Sequence, residues 1–204
     1  MDEEEKKLLE KVATTIRVLS MDAIQKANSG HPGLPLGCAE IGAYLYGKAL
    51  CYNPKKPRWI TRDRFILSAG HGSMLLYSCL HMAGFDLALE DIQQFRQLNS
   101  KTPGHPEKNL SLGVETTTGP LGQGLAHGIG HALGLKLLGA RFNTEEYPLI
   151  NNKVFVLASD GDIMEGVSAE ASSLAGHLNL NNVVVIYDYN MVTLDGSFLE
   201  ASSE

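Results

Sequence analysis

Residues 154–190 read VFVLASDGDIMEGVSAEASSLAGHLNLNNVVVIYDYN. The run Val154–Ala158 is apolar throughout, as a strand buried on both faces should be. An acidic glycine turn, Asp160-Gly161-Asp162, ends it. A segment of small and apolar residues with helical character follows, and then a second apolar run, Val183–Ile186. Strand, turn, helix and strand over about thirty residues make one βαβ unit, whose crossover is right-handed almost without exception. Asp160 closes the first strand and Asn190 follows the second. Both side-chain oxygens are therefore expected at the carboxyl edge of one parallel sheet, the edge where open α/β sheets bind ligands.

Two further short runs extend this picture. Arg64–Ser68 reads as a strand ending in the turn Ala69-Gly-His-Gly72, and residues 72–83 as the helix behind it. Gly119-Pro-Leu-Gly-Gln-Gly124 opens a helix to about Gly139, with small residues in two rows: Gly124, Gly128 and Ala132, then Ala126, Gly130 and Gly134. Two such rows predict close packing on both sides of that helix, despite a cost of about 1 kcal/mol for each interior glycine. Ahead of these elements, Asp2 and Glu5 form a capping pattern for a helix over residues 3–27, with Leu8, Val12, Ile16, Leu19 and Ala23 on one stripe. Helices are also expected over 36–50 and 87–97. Residues 98–118 lack periodicity. A loop of that length inside a domain usually carries function.

Composition narrows the partners. The 204 residues carry a net charge of −6 with no Lys/Arg-rich block, which argues against nucleic acid and anionic membrane as partners. No apolar run approaches the roughly eighteen residues a membrane span needs, and MDEEEKK does not begin a secretory signal. Cys38, Cys51 and Cys79 lack CxxC spacing. They read as the reduced thiols of a cytoplasmic protein rather than a zinc site. No linker divides the chain, so residues 1–204 are expected to be a single domain.

One carboxylate and one amide oxygen, Asp160 and Asn190, form a hard-oxygen pair suited to Mg²⁺ or Ca²⁺. Mg²⁺ in particular completes its shell with phosphate oxygens and water. Gly161 and the helix start near Glu165 offer backbone N–H groups to an anion. The pair predicts a metal and diphosphate site. His31, His71 and His105 lie in Gly/Pro loops, where functional residues concentrate. His127 and His131 have the helical spacing of metal ligands but no third ligand beside them, and they read as structural, as do His81 and His177.

GDG followed after about thirty residues by Asn is the thiamine diphosphate signature. The stretches SDGDIMEG, SLAGHLNL, YDYN and Leu194-Asp-Gly196, with Ser29-Gly-His-Pro-Gly33, Leu67-Ser-Ala-Gly-His-Gly72 and Thr117-Thr-Gly-Pro-Leu-Gly-Gln-Gly124, resemble the transketolase family in collinear order along the whole chain. The resemblance implies an α/β fold with a doubly wound, mostly parallel sheet and helices on both faces. It implies thiamine diphosphate with Mg²⁺ (or Ca²⁺) held by Asp160, Asn190 and the backbone carbonyl of Val192. Gly161 and His71 would contact the diphosphate, and Gly119 and Leu121 would lie along the cofactor. Glu165 would join a hydrogen-bond network between subunits, while His31 and His105 would face a sugar phosphate and handle its hydroxyl protons.

The reaction so implied moves a two-carbon ketol unit from a ketose phosphate to an aldose phosphate. A 1-deoxyxylulose-5-phosphate synthase is the alternative within the same cofactor class, and a non-catalytic cofactor-binding fragment is the alternative outside it. Three parallel strands are fewer than the family's diphosphate-binding domain needs. Family chains also carry a pyrimidine-binding domain with the glutamate that activates the cofactor. The expectation is therefore a fragment inactive alone, partnered by that domain from the same or another chain, in a homodimer or split-subunit assembly. The signature is altered at Ser159, where the family has glycine and where a hydroxyl is available to a phosphate. Asp162 adds a second carboxylate, expected either to face solvent or to repel the diphosphate.

Overall fold

A computed structural model of the chain describes residues 1–193 and 196–202; Leu194 and Asp195 of the expected LDG stretch lie outside the described residues. The chain divides into two compact units, each made of non-contiguous segments. One comprises Met1–Trp59 and His71–Val114, the other Ile60–Gly70 and Glu115–Glu204.

The first unit is helical. α1 (Glu3–Ala27) begins where the Asp2 carboxylate accepts the Glu5 N–H at 2.8 Å and ends at Asn28, whose left-handed φ of 49° turns the chain. Glu3, Glu4 and Glu5 lie at its positive end and Lys26 at its negative end, the favourable arrangement for the helix dipole. Ala13, Ile16, Ser20 and Ala23 form its buried stripe, packed on α3 (Ala39–Tyr44) and α4 (Ser73–Met82).

The helix expected over 36–50 is broken. α2 (Gly33–Gly37) contains Pro35 and stops at Cys38, α3 follows, and Leu45–Ala49 form a π turn closed by Leu50 N–H on the Leu45 carbonyl. The helix expected over 87–97 is only α5 (Leu89–Ile92); the chain continues in i→i−3 turns, Gln94 N–H on Asp91 and Phe95 N–H on Ile92, until Arg96 takes a left-handed φ of 61°.

The second unit is the α/β part. β1 (Arg64–Leu67), β2 (Val154–Ser159) and β3 (Val183–Asp188) are parallel and lie side by side in that order. The register sets Arg64 beside Val154, and Ser159 beside Asp188. The α/β class with a parallel sheet and flanking helices, and the three strand positions, follow the sequence closely. β2 and β3 are joined by the short α7 (Asp160–Ile163) and by α8 (Gly166–His177). α6 (Gln123–Phe142) packs on β2 and β1 and against α8. The core between them is Ile66, Leu125, Ile129, Ala132, Leu135, Val154, Val156 and Leu180. Beside it, the Arg62 guanidinium makes a forked, buried pair with both oxygens of Glu115.

Only one of the two small-residue rows on α6 is packed. A methyl group at Gly124 would sit 2.4 Å from the Ser68 Cα, and one at Gly128 2.3 Å from a Val156 methyl. Gly130 and Gly134 have open space around them, so the expected burial on both sides holds for one side among the described residues. Gly124→Ala should therefore lower stability by about 1–3 kcal/mol, since a backbone atom cannot rotate away. Gly134→Ala, which gains helix propensity without a clash, should raise it by up to about 1 kcal/mol. Thermal midpoints moving in opposite directions for the two variants would check both.

Candidate functional site

In the α/β unit the acidic turn stands at the carboxyl end of β2. Because Ser159 pairs with Asp188, the residues just beyond them, Asp160 and Asn190, meet at one sheet edge. The Asn190 backbone N–H donates to Asp160 Oδ2 at 3.1 Å. The other carboxylate oxygen accepts the Tyr187 hydroxyl at 2.5 Å. Loss of solvation around that phenol, then its bond to Asp160, holds its proton well above the usual tyrosine range. Asp160 is buried, 1% exposed, and among the described residues no lysine, arginine or histidine pairs with it. Asn190 Oδ1 accepts the Val192 N–H at 3.0 Å, and its amide group donates to Asp188. Asp160, Asn190 and Val192 thus share one corner of the unit.

Gly161 lies next to Leu121: a methyl group there would come 2.9 Å from Leu121 Cδ1. Gly119 has φ +148°, and its backbone N lies 2.7 Å from where a Gly70 side chain would begin. The Thr118 hydroxyl, equally close to that point, is buried without a hydrogen-bond partner. Glu165 stands at the N-cap of α8 with its β-carbon 2.7 Å from where a Gly122 side chain would begin. Gly122 is left-handed at φ +77° as well, so two independent constraints require glycine there.

Both altered signature residues are engaged inside the protein. The Ser159 hydroxyl is not offered to a phosphate; it donates to Asp162 Oδ2 at 3.2 Å. Asp162 does not face solvent. It is fully buried and accepts the Ser68 hydroxyl at 2.8 Å, the Gly122 N–H at 2.8 Å and the Ser159 N–H at 3.0 Å. The second carboxylate of the turn ties β1, the start of α6 and the end of β2 together. Asp160 is left as the carboxylate without a partner of opposite charge among the described residues. No cluster of three His, Cys, Asp or Glu placed to hold a metal occurs among the described residues. A cation at Asp160 would accordingly draw on amide, carbonyl and phosphate oxygens. A buried carboxylate lacking a cationic partner, an unpartnered buried hydroxyl and a backbone held free of side chains are a donor set that fits a cation with a diphosphate.

The helical unit holds the three predicted histidines together. The His31 and His71 rings meet edge-on at 5.3 Å, and His31 and His105 lie 6.2 Å apart. Each loop is pinned by α4 or its neighbours. Ser73 and Tyr77 hydroxyls donate to the Gly104 and Pro103 carbonyls at 2.8 and 2.9 Å, and a methyl group at Gly72 would come 2.6 Å from Leu34 Cδ2. One residue of this cluster escaped the sequence reading. Arg96 donates to Ser29 Oγ at 2.7 Å and reaches His31 Nδ1 at 3.4 Å. Partial burial, then the Arg96 charge, lowers the pKa of both His31 and His105, and His105 adds a further push on His31.

The sign of the resulting pH dependence follows directly. The folded chain binds protons at these rings less readily than the unfolded one, so their neutral forms are compatible with the fold above about pH 6.5. Stability should be lost as pH falls from 6.5 through the lowered values. Thermal midpoints from pH 8 to pH 5 should drop more steeply for the wild type than for a His31→Asn, His105→Asn double variant.

These two groups can be compared with known proteins. The family model described as "Transketolase, thiamine diphosphate binding domain" matches residues 8–204, across both units. The chain is 58% identical over 198 residues to a transketolase of Dictyostelium discoideum, covering 97% of this chain and 30% of that protein. It is 58% identical over 191 residues to one of Aquifex aeolicus, covering 94% and 28%. Among solved structures it superimposes on transketolase from Leishmania mexicana with a TM-score of 0.93 at 48% identity, covering 96% of this chain and 29% of that one. On the Campylobacter jejuni enzyme the TM-score is 0.93 at 49% identity, covering 100% and 31%. The chain therefore spans about 30% of the length of the relatives it matches. No helix among the described residues is long and apolar enough to cross a membrane. By fold, by the match over residues 8–204 and by these identities, the chain belongs to the transketolase family, in the part that is its thiamine diphosphate-binding domain.

Proposed function

We propose that this chain supplies the metal and diphosphate half of a transketolase site, serving two-carbon ketol transfer from a ketose phosphate to an aldose phosphate. The observation that carries the reading is the buried Asp160 carboxylate, which has no basic partner among the described residues and shares a sheet edge with Asn190 and Val192. A divalent cation, Mg²⁺ or Ca²⁺, would neutralise it, held by Asp160, Asn190 Oδ1 and the Val192 carbonyl, with diphosphate oxygens completing the shell. Gly161 and His71 serve the diphosphate, Gly119 and Leu121 the body of the cofactor, and Glu165 the contact with a second subunit. Bound thiamine diphosphate supplies the electron sink for carbon–carbon cleavage. His31 and His105 hold and move hydroxyl protons of the sugar phosphate, for which neutral imidazoles near physiological pH are suited.

The single family model running through both units supports treating residues 1–204 as one domain. The share of the relatives' length that the chain spans supports a requirement for a pyrimidine-binding domain, from the same chain or a partner in a homodimeric or split assembly, for turnover. Reduced cysteine usage favours the cytoplasm. Titration of the 204-residue chain with thiamine diphosphate should show heat of binding only when Mg²⁺ or Ca²⁺ is present, and ketol transfer should be absent until the remaining domains are added. Binding of equal strength in chelator would overturn the metal assignment. Turnover by the pure chain alone would overturn the division of labour.

A further inference from the structure

Arg96 is held more tightly than a surface arginine. It takes a left-handed φ of 61°, a conformation few residues with a side chain adopt. Its backbone N–H is fixed on the Thr102 carbonyl at 2.9 Å. Its guanidinium lies against Gly104, where a methyl group would come 2.9 Å from Nε. One fork nitrogen is anchored on Ser29 Oγ at 2.7 Å and the other reaches His31 Nδ1 at 3.4 Å. Among the described residues Nε is buried without a partner, so the seat is shaped for contact with the two histidine loops rather than for satisfying every donor of the arginine.

We infer that Arg96 is a positioning residue that fixes His31 as the neutral tautomer protonated on Nε2. A guanidinium carries donors only and keeps its proton at any pH of interest. A ring nitrogen facing it at hydrogen-bond distance must offer a lone pair, so Nδ1 is bare and the ring proton resides on Nε2. Among the described residues the groups facing His31 are Arg96, His71 and His105, and none of these is an anion that would favour the doubly protonated ring. The same arginine touches Ser29 in the loop of His31 and Gly104 in the loop of His105, so one side chain sets the spacing of the two motifs. In chemical terms, His31 meets a substrate oxygen first as an Nε2–H donor. That consequence rests on the proposed substrate-facing role of His31, whereas the tautomer does not.

The test is a long-range ¹H–¹⁵N spectrum of the whole chain with labelled histidine, recorded from pH 5 to 9. The wild type should show His31 as a single Nε2–H tautomer above its midpoint, with Nδ1 at the position of an unprotonated nitrogen. Arg96→Met should produce a tautomer mixture and an upward shift of the His31 midpoint. Gly104→Ala, which leaves Arg96 in place but fills its seat, should move the same signals in the same direction. Preserved dispersion of the backbone amide spectrum in either variant shows that the fold is intact, and Arg96→Lys provides a milder change should methionine unfold the chain. An Nδ1–H tautomer in the wild type, or an unchanged tautomer ratio in the folded variants, overturns the inference. A failed ketol-transfer assay of the assembled enzyme would instead count against the proposed function and leave the tautomer result standing.

Discussion

Asp162→Ala should lower the stability of the chain by about 4 kcal/mol, a large share of the 5–15 kcal/mol that folded domains possess. The carboxylate accepts from the Ser68 and Ser159 hydroxyls and from the Gly122 and Ser159 backbone N–H groups, all in buried surroundings. Alanine removes the acceptor and leaves those donors behind. Each buried unsatisfied donor costs about 1–3 kcal/mol, and the neighbouring backbone can relax only in part. At 2–4 °C for each kcal/mol in a chain of this size, the thermal midpoint should fall by roughly 8–16 °C. Asp162→Asn should fall between, since its amide oxygen can serve one pair of donors while its NH₂ group confronts the other. A midpoint within about 3 °C of wild type for the alanine variant would show that Asp162 is not the tie between β1, β2 and α6.

The second large effect is on binding and leaves stability nearly alone. Asp160 is as buried as Asp162, yet among the described residues its side chain bonds to the Tyr187 hydroxyl and the Asn190 N–H alone. Removing a buried anion that no basic side chain balances relieves a desolvation cost, which offsets the two lost hydrogen bonds. Asp160→Ala should therefore fold with a midpoint close to wild type. It should also lose Mg²⁺-dependent binding of thiamine diphosphate by about 100-fold or more, since disturbing even the outer partners of a metal site costs 10–100-fold. Calorimetry of both variants separates the two carboxylates of one turn. Unchanged affinity in Asp160→Ala would remove Asp160 from the metal set.

That separation marks the limit of what the residues reveal when read alone. The βαβ unit was legible because each signal was local: two apolar runs, a glycine turn and a helical stretch in one short segment. The capping pair at Asp2 and Glu5 and the helix α1 were legible for the same reason, although of the expected stripe Ile16 and Ala23 are buried, Val12 and Leu19 are half-buried and Leu8 is exposed. The convergence of Asp160 and Asn190 followed from strand geometry without further information. The division of roles within SDGD did not, because it depends on Ser68, 94 positions from Asp162 in the chain. Tyr187 was hidden likewise, as strand alternation gives no hint that its hydroxyl reaches Asp160. Arg96 was the least visible. Its place beside Ser29 and His31 depends on a left-handed turn at a residue type that seldom adopts one. The break in the helix expected over 36–50 was foreshadowed by Pro35 and Gly37, but the π turn after it reflects packing that no local pattern encodes.

The interleaving of the two units has a consequence for how the chain is made. β1 is synthesised within a short excursion, residues 60–70, between two segments of the helical unit. Its strand partner among the described residues, β2, pairs Val154 with Arg64, ninety positions later. At about 5–20 residues per second on the ribosome, β1 waits roughly 5–18 s for β2 to be synthesised, while the segments of the helical unit on either side of it can already condense. Closing that separation is a slow, non-local step. A substitution that weakens β2 should therefore appear first as a deficit in yield during synthesis at elevated temperature, with the helical unit accumulating as the longest-lived partly folded species.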